Sequence, residues 1–268
     1  MTAILLGFVG LFIGSFLNVV IYRVPKKISI VTPASACSQC LTKIRPIDNI
    51  PVLSWLLLRG KCRACGLRIS VRYPLIELMT AGFFALVGSK FAQPALGINE
   101  SFLLLAFLYL ASISIALTMI DIDTHTLPNW IVLPSYAVGI IFLGIASFTS
   151  GNFAPLIRAI ISAAAMWVAY LVIALSYPGG MGFGDVKFAG VIGLFLGYLG
   201  WSVVITGAVA AFVLGALFAI ALLIKRSVNH KTGIPFGPWM MVGAWVAVLF
   251  SAPIVRTYLS LVGLDGSM

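Results

Sequence analysis

Three of the seven acidic residues in this 268-residue chain stand where apolar stretches end. Asp265 lies in the tail, Glu100 precedes a helix, and Asp48 and Glu77 belong to a basic loop or its exit, which leaves Asp121, Asp123 and Asp185. Charged side chains are costly at membrane depth and mark function there. The run from Thr118 to Asn129 leaves an apolar helix, crosses a polar turn and enters another helix; Asp121 is nearest the apolar side, whereas Asp123 suits a water-facing position. Gly179, Gly180, Gly182 and Gly184 precede Asp185, a composition that brings backbone close to a substrate and sets the acid at the start of the next helix. Two carboxylates meeting at a membrane edge suit peptide hydrolysis, one taking a proton from water and the other hydrogen-bonding the oxyanion. Such a pair shares one proton, because like charges in proximity do not both ionise cheaply. The residues alone also allow a second reading, in which these acids line an ion path in a transporter.

All four cysteines form two knuckles, Cys37-Ser38-Gln39-Cys40 and Cys62-Arg63-Ala64-Cys65, separated by 21 residues. That spacing predicts a tetrahedral four-thiolate zinc site, structural because no ligand position remains for water. A loop with so few apolar residues gains order from a metal clip, and Lys43, Lys61 and Arg63 offset the thiolate charge. Disulfides, a redox pair and unligated thiols are the alternatives; a reducing cytoplasm disfavours the first. His125 and His230 are too sparse for a catalytic histidine scheme or a second metal site.

These residues need a bilayer to position them. The chain is 61% hydrophobic and 9% charged, with a mean hydropathy of +1.12, too apolar for a water-soluble globule. Apolar stretches of the ~20 residues that span a bilayer recur along it, at 3–22, 73–90, 102–120, 130–148, 155–177, 186–199, 201–224 and 236–255. The first carries no cleavage pattern and is read as a retained helix. A break near Gly200 separates the sixth span from the seventh. Net charge is +10, and ten of the 17 Lys and Arg lie between Arg23 and Arg72, where Asp48 is the sole acid. The cluster holds that loop in the cytoplasm, with anionic lipid headgroups as counterions. Few aromatics and no recognisable module argue against a nucleic-acid partner. Alternation then puts 14 basic residues inside, including Lys187, Lys225, Arg226 and Lys231, and three outside, Lys90, Arg158 and Arg256, with both termini outside. Asp121 and Asp185 fall at cytoplasmic helix ends. Gly7, Gly10 and Gly14, like Gly190, Gly193 and Gly197, recur at helical spacing and are read as close-packing positions.

With these residues in hand, the chain resembles the bacterial type IV prepilin leader peptidases from its first helix to about Trp239. The likeness is carried by the segment from Gly14-Ser15-Phe16-Leu17-Asn18 to Arg23-Val24-Pro25, the paired cysteines, Asn49-Ile50-Pro51-Val52-Leu53-Ser54-Trp55 and Arg59-Gly60-Lys61-Cys62. It continues in Arg72-Tyr73-Pro74 with Glu77, the run from Asp121 to Pro128, Gly182-Phe183-Gly184-Asp185-Val186-Lys187 and Pro235-Phe236-Gly237-Pro238.

The resemblance implies that Asp121 and Asp185 are the active aspartates, the second in a Gly-x-Gly-Asp motif shared with presenilin-like proteases. It selects Asp121 over Asp123 by its spacing from Pro128. It implies cleavage of prepilin or pseudopilin leaders at the cytoplasmic face of the inner membrane, after a glycine. N-methylation with S-adenosylmethionine follows in many members and is associated with the cysteine-bearing region. The residues binding that cofactor are not assigned. Tyr73 and Glu77 share a helical face and serve either methyl transfer or packing; Asn18 and Arg23 either finish the first helix or serve the cytoplasmic site; Lys187 pairs with Asp185 or with lipid. Cys37-Ser38-Gln39-Cys40 departs from the family's Cys-Pro-x-Cys, Asp48 replaces a glutamate, and Asn129 replaces a common acid. The shorter reach of Asp48 weakens the expectation of methyl transfer more than that of cleavage.

The expected fold is an all-α polytopic membrane protein with about eight transmembrane helices and a zinc-clipped cytoplasmic loop. Its expected divisions are a first helix (1–22), a cysteine-containing region (23–72), a second helix with an outer loop (73–100), an aspartic peptidase core (101–258) and a tail (259–268). A peptidase without methyl transfer, an ion-coupled transporter and a zinc-clipped assembly scaffold are the competing functions.

Overall fold

A computed structural model describes residues 1–37, 39–92, 97–176, 180–224 and 235–263. Ser38, Gly179, Lys225, Arg226, His230, Lys231 and Asp265, all weighed above, lie outside the described residues. Among the described residues the chain is helical apart from turns and two isolated antiparallel bridges. It divides into two compact units, Met1–Ile120 and Asp121–Met268.

In the first unit, α1 (Thr2–Arg23) packs antiparallel on α3 (Arg72–Phe91). A Cβ on Gly14 would lie 2.6 Å from the Glu77 Cα, and one on Gly10 would lie 2.8 Å from the Ala81 Cα, so the two backbones touch only because these positions are glycine. Between them run a 3-10 turn, Pro46–Asn49, and the short helix α2 (Leu53–Leu57). Helix α4 (Ile98–Thr124) belongs to this unit as far as Ile120.

The second unit takes the last turn of α4 and adds α5 (Asn129–Ser150), α6 (Ala154–Ser176), α7 (Phe183–Leu199), α8 (Trp201–Ile224) and α9 (Gly237–Leu261). Helix α7 is its core. Every residue from Phe188 to Gly197 is buried, the signature of a helix that is apolar on all sides because it is enclosed. Helix α6 approaches it at Gly193 and Gly197, where an added Cβ would lie 3.0 Å from the Cα atoms of Ala163 and Ala159 respectively. Arg158 of α6 donates to the carbonyls of Gly197 and Tyr198, both at 2.7 Å, and so satisfies carbonyls that the end of α7 leaves open.

Among the described residues seven helices, α1, α3, α4, α5, α6, α8 and α9, are long and apolar enough to cross a membrane. The chain is therefore an all-α polytopic membrane protein. With 17 residues, α7 extends about 25 Å at 1.5 Å per residue, short of a ~30 Å hydrocarbon core. Two boundaries differ from the apolar runs in a way that matters. Helix α4 continues to Thr124, past the last apolar residue, and α7 begins at Phe183, before Val186. Hydropathy marks where greasy side chains stop, whereas the backbone ladder continues through polar residues, so Asp121 and Asp185 both sit inside helical turns.

Candidate active site and thiolate cluster

Asp121 and Asp185 lie in the same unit and are 4% and 8% exposed. Asp121, in the last turn of α4, accepts the Gly237 N–H on Oδ2 at 3.0 Å, from the start of α9. Asp185, in the first turn of α7, accepts the Gly182 N–H on Oδ2 at 3.1 Å, while its own N–H donates to the Gly182 carbonyl at 3.0 Å. Each carboxylate is thus aimed by a backbone donor through one oxygen. Among the described residues, neither Oδ1 takes a hydrogen bond. The two charges are close enough to interact electrostatically.

Leu127 joins the two turns. It is buried between glycines, with a Cβ on Gly184 falling 3.1 Å from its Cβ and one on Gly237 falling 3.3 Å from its Cδ2. The same Cβ on Gly237 would lie 2.7 Å from Asp121 Oδ2, which gives Gly237 in the Pro-Phe-Gly-Pro run a physical reason to be glycine. Asp123 is exposed, two residues beyond Asp121. Lys187, expected to pair with Asp185 or with lipid, donates to Asn129 Oδ1 at 3.1 Å and lies 5.0 Å over the Phe183 ring, which ties α7 to α5. Tyr136 adds a second tie, donating to the Lys187 carbonyl at 2.6 Å.

Sequence reasoning missed Tyr170. Only 2% exposed, its ring lies 5.4 Å from that of Phe212 and 6.3 Å from that of Phe236, the residue before Gly237. Its hydroxyl lies near enough to Asp185 for two negative charges there to repel. A tyrosine inside an apolar helix carries no local signal for this; only the register of α6 on α7 brings it to the first turn of α7.

The four cysteines converge in the first unit, with every pair of Sγ atoms within 4.8 Å. Cys37 and Cys65 are 3.9 Å apart and Cys40 and Cys62 4.0 Å. A tetrahedron with Zn–S bonds of about 2.3 Å has S···S edges of about 3.8 Å, whereas a disulfide needs about 2.05 Å. The cluster therefore has the dimensions of a metal site. Its halves repeat one another. Cys37 N–H donates to the Thr42 carbonyl and Leu41 N–H to Cys37, as Cys62 N–H donates to Leu67 and Gly66 N–H to Cys62. An isolated bridge closes each knuckle, Ala36 with Lys43 and Lys61 with Arg68. Leu41 (φ +57°) takes the left-handed conformation that Gly66 (φ +72°) supplies in the second knuckle. Hydrogen bonding with Thr42 brings the Cys40 thiol down to about 6. Cys65 is helped by the Leu67 N–H, but desolvation and the neighbouring thiols push it up to about 11. Four sulfurs so close do not all ionise without a cation, and binding one releases protons.

Asp48 receives a bidentate contact from Arg63, at 2.7 and 3.0 Å, inside the second knuckle. The Arg63 guanidinium holds its carboxyl below the ordinary carboxylate value. Asn18 donates to the Tyr73 carbonyl at 3.2 Å, and Arg23 donates to the carbonyls of Ser29 and Pro33 at 2.9 and 2.7 Å. Glu77 is buried and accepts the Val52 N–H on Oε2 at 2.7 Å. Val52 has φ +59°, a strained conformation for a β-branched residue, at the centre of a tight turn in which Leu53 N–H reaches back to the Pro51 carbonyl. Ser54 braces the turn by accepting from Ile50 at 3.1 Å and donating to Ile47 at 2.9 Å.

The profile of the bacterial peptidase A24 N-terminal domain matches residues 8–91, and that of the type IV leader peptidase family matches residues 108–220. A prepilin leader peptidase/N-methyltransferase of Aeromonas salmonicida is 34% identical over 94% of this chain and 91% of its own length. Its namesakes in Pseudomonas putida and Neisseria gonorrhoeae are each 35% identical, over 95% and 88% of this chain and 92% and 86% of their own lengths. No solved structure matches the chain. Near-complete coverage at this identity, with both profiles in order along the chain, places it in the type IV leader peptidase family.

Proposed function

We propose that this inner-membrane protein removes the leader peptides of type IV prepilins or pseudopilins with Asp121 and Asp185, and then methylates the new amino terminus. The observation that carries the cleavage reading is two buried carboxylates in one unit, each aimed by a backbone N–H on one oxygen and, among the described residues, with no hydrogen bond on the other. With one proton between them, the ionised member takes a proton from water as the water oxygen bonds to the scissile carbonyl carbon. The protonated member hydrogen-bonds the developing oxyanion. When the intermediate collapses, the C–N bond breaks, the leaving amine receives a proton, and the pair returns to a single shared proton. The Gly237 and Gly182 N–H groups fix both carboxylates before substrate arrives.

In this reading α7 is an eighth crossing, both termini lie outside, and the aspartates open to the cytoplasm, the side favoured by the 14 to 3 partition of basic residues. The region 101–258 forms the peptidase core, and 23–72 contributes to methyl transfer. Zinc on Cys37, Cys40, Cys62 and Cys65 orders that loop; the sulfur tetrahedron supports it. S-adenosylmethionine supplies the methyl group. Glu77 and Asn18 are committed to backbone partners and are not offered as its ligands; methyl transfer rests on the activity named for the relatives. Anionic lipids are the proposed counterions of the basic loop.

The test is cleavage of a purified pilin precursor in detergent. Asp121→Asn and Asp185→Asn should each lose at least about a thousandfold in rate, within the range of general acid–base and oxyanion contributions. Full activity in either folded variant removes that residue from the chemistry. A transporter would retain the precursor uncut in every variant. Methyl transfer is read separately, as the mass of one methyl group on the cleaved product.

A further inference from the structure

We infer that α2 is an interfacial foot, seating the face formed by Leu53, Leu56 and Leu57 in the headgroup and acyl boundary of the bilayer. The helix is inside out for a loop in water. Its polar Ser54 is buried, while Leu53, Leu56 and Leu57 are 56%, 59% and 76% exposed. Three leucines at helical spacing on one exposed face call for an apolar neighbour.

The depth of the helix identifies that neighbour. Val52, immediately before α2, is tied to Glu77, and Glu77 lies five residues inside α3, which begins at Arg72. At 1.5 Å per residue the Glu77 Cα sits about 7–8 Å along α3 from its start. The Glu77 backbone is also level with Gly14 of α1, nine residues before α1 ends at Arg23. The Glu77 side chain leans toward the start of its helix, which sets Val52 and α2 near the membrane boundary, within the ~5–10 Å depth that interfacial helices occupy. The ends of the foot fit the same surface. Arg59 and Lys61 follow α2 and are exposed, placed to meet headgroups while the leucines reach below them. Trp55 turns the other way, donating from Nε1 to the Ile69 carbonyl at 3.1 Å. The metal-clipped loop is therefore anchored to the membrane at its middle as well as at its two ends.

The test places the photoreactive residue p-benzoylphenylalanine at Leu57 of the full chain in inner-membrane vesicles, with Trp55 as the inward-facing comparison. Irradiation should attach phospholipid at position 57, by mass, equally with and without added precursor, and should give crosslinks within the chain at position 55. Attachment of position 57 to the precursor or to a second protein, absence of a phospholipid adduct there, or equal lipid labelling at both positions overturns the inference. None of these readouts depends on cleavage activity.

Discussion

The two units of this protein are ordered by different means. In the second, α7 is sheathed on nearly every side and the carboxylates are aimed by backbone N–H groups, Asp121 by the start of α9 and Asp185 by the residue that opens its own helix. In the first, between α1 and α3, the chain is held by a carboxylate on a strained turn, one ion pair and four sulfurs, while many of its large apolar side chains remain exposed. One region gains precision from packing, the other from a few strong polar contacts and a sulfur cluster able to hold a metal. Disturbing either should therefore leave a different signature.

The contrast is sharpest at Gly237. Changing Gly237→Ala drives a methyl group to 2.7 Å from Asp121 Oδ2, which must displace the carboxylate. A displacement of about 1 Å costs on the order of a hundredfold in rate, so cleavage should fall by about that factor while bound metal is unchanged. Precursor cleavage and metal analysis on one preparation check this, and an unimpaired rate would detach Gly237 from the site. The reverse disturbance is Cys37→Ser. Bound zinc should drop from one equivalent to well below it, because structural zinc sites need their full thiolate set, while cleavage by the packed unit changes by less than about tenfold, one factor of ten being 1.36 kcal/mol of barrier. Unchanged zinc stoichiometry would remove the four-thiolate site.

Tyr170→Phe asks a narrower question of the packed unit. It keeps the ring against Phe212 and Phe236 and deletes a buried hydroxyl. A hydroxyl that hydrogen-bonds the site is worth about 1 kcal/mol, so a slowing of single-turnover cleavage by about fivefold with the melting temperature unchanged would give it that role. Equal rates would assign Tyr170 to packing alone.

The sequence made some of this arrangement legible and hid the rest for identifiable reasons. Long apolar runs marked the helices because crossing a bilayer requires them, and the cysteine spacing marked the cluster because chelation depends on short-range geometry. Composition did not separate α7 from its neighbours, since a helix enclosed by protein and one bathed in lipid are equally apolar. Nor did it reveal Leu127, Tyr170 or the Val52 to Glu77 tie, which depend on tertiary register. Asp121 and Asp185 were visible as rare charges at apolar boundaries, yet their backbone partners, Gly237 and Gly182, emerged only from the fold. The likeness of the two cysteine knuckles was hidden because Leu41 occupies the left-handed position that glycine fills in its counterpart.

The smallest expected effect belongs to the ion pair of Asp48 and Arg63. Arg63 is exposed and solvent screens the contact, so removing it should loosen the second knuckle only slightly. Because Arg63 lowers the Asp48 carboxyl below its ordinary value, the stabilisation is fully present above the unfolded carboxylate value of about 3.9 and disappears only as pH falls through the lower folded value. Between about pH 8 and pH 5 Asp48 stays ionised, so Arg63→Gln should lose zinc to a competing chelator slightly more readily than wild type, by a ratio that does not vary with pH, even as both affinities fall with thiol protonation. The ratio, taken from paired chelator titrations across that interval, isolates the ion pair from the sulfurs. A ratio that shrinks toward one between pH 7 and pH 5 would mean that a group titrating in that range, rather than the Asp48 carboxylate, sustains the Arg63 contribution.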